Sequence, residues 1–578
     1  MIVYRKQEQE VPSARCLAEI QGMVERLCRM PRIRHEEAVE LLIEWGVFES
    51  AVADARCPER DDHDRSAATL RSIGVVTGHI VLASWEGRDA EALRRLALLQ
   101  RALAELPPHD LPERVCLREP EGYAHYGLYP ETYLEAAKRF AAEARPDRVV
   151  CIGLRSIGTS LSAVVAAALE AAGCAVLPCT MRPRGDPFYR SVLLTPSFEA
   201  VLRDLNGHYF LIMDEGPGMS GSSICAPAEK LSALGIADSR IVFFPSWDTD
   251  GRHFISRPAR ERWAKHRRIT AWFDDVLLRS GRLNGIVHGD FIRDISAGMW
   301  RDLFYREEDD APAVQPQHEK RKFLYRNSAM LLFKFAGLGR YGRAKLQRAL
   351  ALADAGLTPP VQGLSNGFMT TAFIDGVPLS PGAVDREALD SIVRYLRFLG
   401  RSFPVERGMR FEELTGMIRR NTLLGLGRPW ADRLDRIEVF RSLFDEAGPV
   451  AVDGRMLPHE WIRTDRGYLK TDAIDHHADQ FFPCSQDIAW DIAGCMIEFG
   501  LEQKAAEYLL ASYEAQARDT TVRRRLPLYR IAYLAYRIGY TTFALNGLGA
   551  SEDAQKFRRL ITRYAALLKE DIGRIARR

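Results

Sequence analysis

The chain has 578 residues, which is too long for one ordinary hydrophobic core and predicts several domains of ~150 residues each. Its 80 basic and 77 acidic side chains leave a net charge of +3, so composition gives no reason to expect nucleic acid or an anionic membrane as a partner. Ten scattered cysteines without a C-x-x-C pair, and no apolar run near the ~18 residues of a membrane span, predict a cytoplasmic protein with reduced thiols.

Four regions follow one another along the chain. Residues 1–110 are rich in Ala, Leu, Glu and Arg with helical spacing, as in HEEAVELLIEWGVFESAVADA, and predict a helical N-terminal region. In residues 111–250, apolar runs such as RVVCI, CAVLPC, YFLIM and RIVFFPS alternate with helical segments. This alternation predicts an α/β domain whose parallel sheet is covered by helices on both faces. Residues 251–319 read as a basic connector and a charged, proline-containing linker, and a separate domain is expected over residues 320–578.

The strand YFLIM runs directly into DEGPGMSGSS, residues 214–223. In a parallel sheet, ligands bind beyond the carboxyl ends of the strands, which is where this segment is expected to lie. Its glycines and serines, followed by the start of a helix, offer backbone N–H groups and hydroxyls to a phosphate. Asp214 and Glu215 would repel that phosphate, so we expect them to accept hydrogen bonds from sugar hydroxyls or to bind Mg²⁺. The segment therefore predicts a site for a ribose phosphate.

The segments LIMDE, GPGM and SGSS together resemble the signature of the type I phosphoribosyltransferases, over roughly residues 110–250. The resemblance implies an enzyme that uses phosphoribosyl pyrophosphate and Mg²⁺ to ribosylate a small-molecule acceptor. Asp214 and Glu215 would then be catalytic, holding the ribose 2′- and 3′-hydroxyls and the metal. The 5′-phosphate would be bound by Gly218, Met219, Ser220, Gly221, Ser222 and Ser223.

A second turn, GLRSIGTSLS, follows the strand RVVCI at the position where the same family grips pyrophosphate. The resemblance gives Arg155 a catalytic role on this leaving group, and gives Ser156 and Gly158 binding roles through their N–H groups. Residues 180–190, TMRPRGDPFYR, resemble the mobile flap of such active sites, and an irregular surface loop explains them equally well. The aromatic segment REPEGYAHYGLYPETYLEAAKRF is assigned to the acceptor pocket. Taken alone, either glycine-containing loop is also typical of a plain turn.

The C-terminal region resembles a second family, the aminoglycoside-phosphotransferase/protein-kinase-like fold, an α+β architecture. AMLLFKFAGLGRYGRAKLQRALALADAGLTPPV is similar to its lysine-bearing strand and following helix, GFMTTAFIDGVPL to its hinge, and SQDIAWDIAG to a late helix start. The resemblance implies ATP as a ligand, with Lys334 at its phosphates and Asp472 or Asp475 as a metal ligand. The earlier VHGDF, residues 287–291, is rejected as the catalytic loop because it precedes the lysine and is followed by Ile295 where that family has Asn.

The C-terminal region also departs from that family. His459 is followed by Glu460 and Trp461 where the family has Gly and Asp, and the helix after Lys334 carries Gln347 and no glutamate to pair with the lysine. DHHADQ, residues 475–480, invites a metal site, but without defined ligand spacing a polar loop is the preferred interpretation.

Two functions are compatible with these patterns. The first is a phosphoribosyltransferase coupled to a kinase-like domain that phosphorylates a ribosyl precursor or product. The alternative is a regulatory or binding protein that senses a ribose phosphate or nucleotide and uses a degenerate kinase-like domain as a scaffold. The acceptor is not identified, because base pockets in the first fold are made by variable loops. A homodimer is compatible with either function.

Overall fold

The computed structural model describes residues 8–107, 111–283, 289–307, 310–446, 448–465 and 467–577. Its N-terminal region is helical, as the sequence predicts. The helices are α1 (Ser13–Cys28), α2 (His35–Arg56), α3 (Arg65–Trp85) and α4 (Asp89–Glu105). Strand β1 (Glu8–Pro12) precedes them and pairs antiparallel with β2 (Arg114–Arg118), so both ends of the helical region meet.

A five-stranded parallel sheet follows, with strand order β4-β3-β5-β6-β7. Its strands are β3 (Arg148–Leu154), β4 (Ala175–Met181), β5 (Tyr209–Met213), β6 (Ile241–Phe244) and β7 (Arg267–Arg268). The surrounding helices are α5 (Pro130–Ala144), α6 (Ile157–Ala171), α7 (Pro196–Asp204), α8 (Ser222–Ala233) and α9 (Arg257–Trp263). The parallel sheet predicted for residues 111–250 is therefore present, with β5 as its middle strand.

Strand β5 is apolar throughout because both of its faces are covered. Leu211 and Met213 belong to the core formed with α3, α5 and α6, whereas Phe210 and Ile212 belong to the core formed with α7, α8 and α9. All four side chains are fully buried. Continuous apolar runs are what a central parallel strand requires, since alternate residues face opposite layers.

Helix α3 has the length and composition of a membrane span, since an 18-residue stretch of it has a mean hydropathy of 1.3, but 67% of this stretch is buried inside the protein. It packs on α6, where the Arg71 guanidinium donates to Thr159 O at 2.8 Å. Its apolar composition is thus accounted for by its place in the core.

A second five-stranded sheet is antiparallel, with order β11-β12-β10-β9-β8. Its strands are β8 (Asp290–Asp294), β9 (Lys322–Arg326), β10 (Met330–Phe335), β11 (Val361–Ser365) and β12 (Phe368–Ala372), with helix α10 (Arg340–Asp354) between β10 and β11. Strand β8 lies in the stretch expected to be connector and linker, and it carries Asp290 and Phe291 of the rejected VHGDF segment. Val287 and His288 of that segment lie outside the described residues.

The rest of the chain is mainly helical and contains a small sheet of β13 (Val377–Pro378), β14 (Trp461–Thr464) and β15 (Gly467–Lys470). Its helices are α11 (Arg386–Ser402), α12 (Phe411–Leu426), α13 (Arg428–Ala431), α14 (Arg441–Asp445), α15 (Ala489–Glu498), α16 (Gln503–Ala517), α17 (Val522–Leu545) and α18 (Glu552–Arg577). The whole is a mixed α/β protein.

The antiparallel sheet shares a core with the N-terminal half of the protein. Tyr129, just before α5, lies 6.1 Å from Phe335 and 6.3 Å from Phe368 between ring centroids, and its hydroxyl donates to Asn366 O at 2.6 Å. Ion pairs between α2 and α10 reinforce this contact, including Arg340 to Glu44 at 3.0 Å.

Candidate functional site

Asp214 and Glu215 stand at the carboxyl end of β5, the middle strand of the parallel sheet. Helix α6 begins against the same point, because Gly158 has no side chain: a Cβ there would lie 2.5 Å from Met213 O. The predicted acidic pair and the predicted pyrophosphate turn are thereby brought to one edge of the sheet, as the topology of a parallel sheet requires.

Both carboxyl groups of this pair are half-buried, and in the described part of the chain neither forms an ion pair with a lysine or arginine. Glu215 Oε2 accepts from Gly122 N at 3.1 Å, and the Tyr133 hydroxyl donates to Asp214 O at 2.6 Å. Burial raises the pKa of Asp214 to about 6, and burial together with Glu121 and Asp214 raises the pKa of Glu215 to about 8. Such groups gain from a bound cation or hydroxyl donor.

The predicted phosphate loop continues from this pair into α8. Gly221 adopts a left-handed conformation, with φ of 66°, immediately before the helix, and a Cβ there would meet the Phe254 ring at 2.3 Å. Ser220 and Ser222 hydroxyls lie 3.1 Å apart, and Ser222 Oγ also donates to Pro187 O at 2.6 Å. Met219 is exposed and Ser223 lies in the first turn of α8. The loop is thus tied to the predicted flap, residues 180–190.

In the predicted pyrophosphate turn, the Arg155 side chain and the N–H groups of Arg155 and Ser156 bind other residues of the protein. Arg155 is buried, and its side chain pairs with Asp61 and, at 3.3 Å, with Asp54 of the N-terminal region. Its backbone N–H donates to Met181 O at 2.9 Å, and Ser156 N–H donates to Ser50 Oγ at 3.3 Å. The roles of Arg155, Ser156 and Gly158 on pyrophosphate stay predictions.

Two arginines of the predicted flap also pair with the two aspartates that bind Arg155. Arg182 pairs with Asp54, and Arg184 pairs with Asp61 at 2.7 Å. Three arginines thus face two aspartates, which leaves a positive excess beside the turn. Ser156 lies here at φ of 119°, a strained conformation for a residue with a side chain and one that concentrates at ligand sites.

The C-terminal region contains a separate cluster, centred on Lys334 of β10. Lys334 Nζ lies 2.8 Å from Asp472 Oδ1 and 2.6 Å from Asp475 Oδ2, and Lys345 of α10 lies 3.1 Å from Asp475 Oδ1. Although burial opposes ionisation, Lys334 holds the pKa of Asp472 well below its ordinary value. The structure thus brings the three predicted residues together, and the lysine finds its partners beyond β15 and not on the following helix.

A second acidic group, which contains Asp453, lies next to the Lys334 cluster. The sequence interpretation did not include Asp453. Asp453, Glu460 and His476 each place a ligand atom within 4.8 Å of the others, an arrangement that could hold a metal ion. Lys470, fully buried, supplies the cation there, at 3.2 Å from Asp453 Oδ2 and 2.5 Å from Glu460 Oε2. His476 from DHHADQ thus joins the group, which the polar-loop interpretation did not include.

Asp491 of α15 holds the loop that carries Asp453. Its carboxylate accepts from Asp453 N at 2.6 Å and from Gly454 N at 2.9 Å. The sequence interpretation centred this loop on His459, which instead stacks on Trp300 with ring centroids 5.5 Å apart. The signal that could have identified Asp453 is the apolar-Asp-Gly stretch AVDG, six residues before His459.

A cavity of about 500 Å³ separates the antiparallel sheet from the helical part. Lys334 and its partners Asp472 and Asp475 line this cavity. Residues 371–374, which belong to the predicted hinge GFMTTAFIDGVPL, line it as well. A cavity of this size takes a nucleotide-sized ligand.

No family model matches the sequence, and no curated protein matches it. Several solved structures resemble part of the fold. Choline kinase LicA from Streptococcus pneumoniae is 13% identical, with a TM-score of 0.34, over 50% of this chain and 98% of that one. A choline/ethanolamine kinase family protein from Mesorhizobium loti is 18% identical, with a TM-score of 0.34, over 44% and 90%. Macrolide 2′-phosphotransferase MphH from Brachybacterium faecium is 15% identical, with a TM-score of 0.29, over 51% and 98%. Likenesses at this level establish neither substrate nor activity.

Proposed function

We propose that the parallel-sheet domain transfers a phosphoribosyl group from phosphoribosyl pyrophosphate to a small-molecule acceptor. The observation that carries the proposal is the Asp214–Glu215 pair, which has no cationic partner in the described part of the chain and stands at the end of β5 beside a serine-rich loop that enters α8. Carboxylates beside a phosphate cradle suit a ligand with both hydroxyls and a phosphate, which a ribose phosphate provides.

In this reaction the bond from C1′ to pyrophosphate breaks and the acceptor forms a new bond to C1′. Asp214 and Glu215 would accept the sugar hydroxyls and hold C1′ in position, so that binding energy is used for orientation. Their oxygen atoms, of the type that Mg²⁺ prefers, fit this metal, and when bound it would offset charge on the pyrophosphate. Residues 180–190, tied to Ser222, would exclude water that otherwise hydrolyses the donor.

Calorimetry with phosphoribosyl pyrophosphate and Mg²⁺ tests this proposal. We expect Asp214→Asn with Glu215→Gln to weaken binding by about 100-fold, since two charge-assisted contacts are lost. Asp204→Asn, at the exposed end of α7, is the matched control and should bind like the parent. Binding at parental strength by the double variant would exclude the assignment.

A second candidate activity, phosphate transfer from ATP, belongs to the C-terminal cavity. It is favoured by the Lys334 contacts to Asp472 and Asp475, which join the two sides of the cavity. Lys334 would contact the phosphates, and Asp472 and Asp475 would offer oxygen ligands to Mg²⁺.

The alternative, a nucleotide-binding scaffold without catalysis, is favoured by Lys470, which already neutralises Asp453 and Glu460. The two alternatives differ in ATP consumption. The protein is incubated with ATP, Mg²⁺, phosphoribosyl pyrophosphate and a metabolite extract, and products are followed by mass spectrometry. Catalysis predicts a phosphate gain that is lost in Lys334→Met and in Asp472→Asn. ATP left intact in every variant, with the ribosyl product still formed, would make the C-terminal domain a scaffold.

A further inference from the structure

The loop that follows β6, residues 245–256 and here called the β6 loop, lies beside the predicted phosphate loop, residues 216–221. Strand β6 is a neighbour of β5 in the parallel sheet, so the loops that follow the two strands begin at the same edge. Three donors of the β6 loop bind three carbonyl groups of the phosphate loop: Ser246 N–H to Gly216 O at 3.1 Å, Trp247 Nε1–H to Pro217 O at 3.2 Å, and Ile255 N–H to Met219 O at 3.0 Å. The β6 loop therefore fixes the backbone of the phosphate loop.

Two of these contacts set the direction of N–H groups in the phosphate loop. In a planar trans peptide the C=O and N–H bonds point in opposite directions, and the peptides Pro217–Gly218 and Met219–Ser220 are both trans. Because the β6 loop holds Pro217 O and Met219 O, the N–H groups of Gly218 and Ser220 point away from it. In the described residues no protein group accepts a hydrogen bond from either N–H. Two unused donors so close in the chain suit an anion such as a phosphate.

The Trp247 side chain is held in place by a series of ring contacts. Its ring lies 5.1 Å from that of His253, and the His253 ring lies 4.8 Å from that of Phe254, in each case between centroids. Phe254 in turn packs on the buried Trp263, 5.5 Å away, and on Gly221, where it leaves no room for a side chain. The direction of the indole N–H is therefore set by packing.

We propose that Trp247 is a positioning residue of the phosphoribosyl site: by holding Pro217 O, its indole N–H turns the Gly218 N–H toward the 5′-phosphate of the ligand. The Ile255 N–H acts in the same way on the N–H of Ser220. The inference rests on the proposed function, in which these two N–H groups donate to the phosphate that phosphoribosyl pyrophosphate and ribose 5-phosphate share. Trp247 acts through the phosphate loop and not by touching the ligand.

Calorimetry with ribose 5-phosphate tests the inference, because this ligand carries the 5′-phosphate without the pyrophosphate. Trp247→Phe keeps a ring that packs on His253 and removes the indole N–H. We expect this variant to bind ribose 5-phosphate about 10-fold more weakly than the parent, since one charge-assisted hydrogen bond to the phosphate loses its alignment. Trp430→Phe, at a half-buried tryptophan of the helical C-terminal part, is the control and should bind like the parent. Binding at parental strength by Trp247→Phe would overturn the inference.

A double-mutant cycle separates this role from a general structural one. Gly218→Pro removes the N–H that Trp247 is proposed to orient, and a Cβ at this position would have no heavy atom within 4 Å. We expect Gly218→Pro and Trp247→Phe each to weaken binding of ribose 5-phosphate by about 10-fold, and the double variant to bind little more weakly than either one. A loss of about 100-fold in the double variant would overturn the inference, because Trp247 would then act on another part of the site.

Ile255 provides an independent pair of variants, which tests the inference even if Trp247→Phe does not fold. The Ile255 side chain is 58% exposed, and its backbone N–H is the group that binds Met219 O. Ile255→Pro removes this donor and should weaken binding of ribose 5-phosphate by about 10-fold. Ile255→Ala keeps the donor and should bind like the parent. Equal binding by the two variants would overturn the inference.

The same titrations with phosphoribosyl pyrophosphate and Mg²⁺ distinguish failure of the inference from failure of the proposed function. If the parent binds ribose 5-phosphate but not phosphoribosyl pyrophosphate, the proposed function fails and the variants still decide the inference. If the parent binds both ligands and Trp247→Phe binds them equally well, the inference fails and the proposed function stands. If the parent binds neither ligand, both fail.

Discussion

Burial, with Glu121 and Asp214 nearby, raises the pKa of Glu215 to about 8 and so favours its protonated form. Asp214 beside it is raised to about 6. A nearby metal ion or hydroxyl donor favours the charged form of a carboxyl group and so lowers its raised pKa. Ligand binding to the pair should therefore release protons.

The same pKa shifts predict a pH-dependent cost to folding. A carboxyl group whose pKa is raised by folding costs nothing below its unfolded value, and the cost grows until the pH passes its folded value. We expect Asp214→Asn with Glu215→Gln to stabilise the protein relative to the parent by about 2 kcal/mol at pH 9 and by little at pH 5. Urea unfolding at both pH values measures the difference. A gain independent of pH would contradict the assignment.

Whereas burial raises the pKa values of Asp214 and Glu215, Lys334 lowers the pKa values of its two partners, Asp472 and Asp475, and holds them ionised. We expect Lys334→Met to destabilise the protein by about 3 kcal/mol at pH 7, because removing one partner leaves buried charge uncompensated. The loss should shrink as the pH falls through 4, where the aspartates take up protons in the unfolded chain. Urea unfolding measures the loss, with Lys322→Met as the comparison. Lys322 pairs with the half-buried Glu319, so this variant should lower the free energy of unfolding by less than about 1 kcal/mol.

At the scale of elements, the hydrogen bond from Ser222 Oγ to Pro187 O joins the loop that enters α8 to the flap. We expect Ser222→Ala to release the flap, with faster hydrogen exchange over residues 183–190 and no change in β5. Ser232→Ala, on the same helix, is the control. Equal exchange in parent and Ser222→Ala would mean that other contacts hold the flap.

Local sequence patterns predicted the helices and strands. They did not predict which side chains contact one another across the fold. The apolar run of β5 and the polar loop after it are adjacent in sequence, so the acidic pair and its position at the sheet edge were predictable. The partners of Arg155 are Asp54 and Asp61, about a hundred residues away, and no local pattern indicates them. The contact of Lys470 with Asp453 likewise depends on how the end of β15 meets the loop that carries Asp453, which periodicity does not encode.

At the scale of the whole molecule, the hydrophobic core runs without a break from the N-terminal helices through α6 to the antiparallel sheet. Phe335 and Phe368 of that sheet pack on Tyr129 of the preceding domain. The sequence predicted separate domains because the linker is charged and contains prolines, yet β8 pairs with β9 across it. The boundary near residue 320 stays a prediction, but the halves are packed together.

This continuity predicts that the C-terminal domain depends on the rest of the chain. A fragment of residues 320–578 lacks β8 and exposes Phe335 and Phe368, so we expect it to aggregate or to lose its sheet. Size-exclusion chromatography and circular dichroism measure this, with the full chain as the control. A monomeric fragment with the Tm of the full chain would show that the domains fold independently.

The hydrogen bond from Gly122 N–H to Glu215 Oε2 uses the acceptor oxygen that a sugar hydroxyl would take. A ligand therefore binds by exchange with the protein's own amide and not by simple addition. When a sugar displaces it, this amide proton loses its protection. The Gly122 amide resonance is therefore expected to report whether a ligand is bound at Glu215.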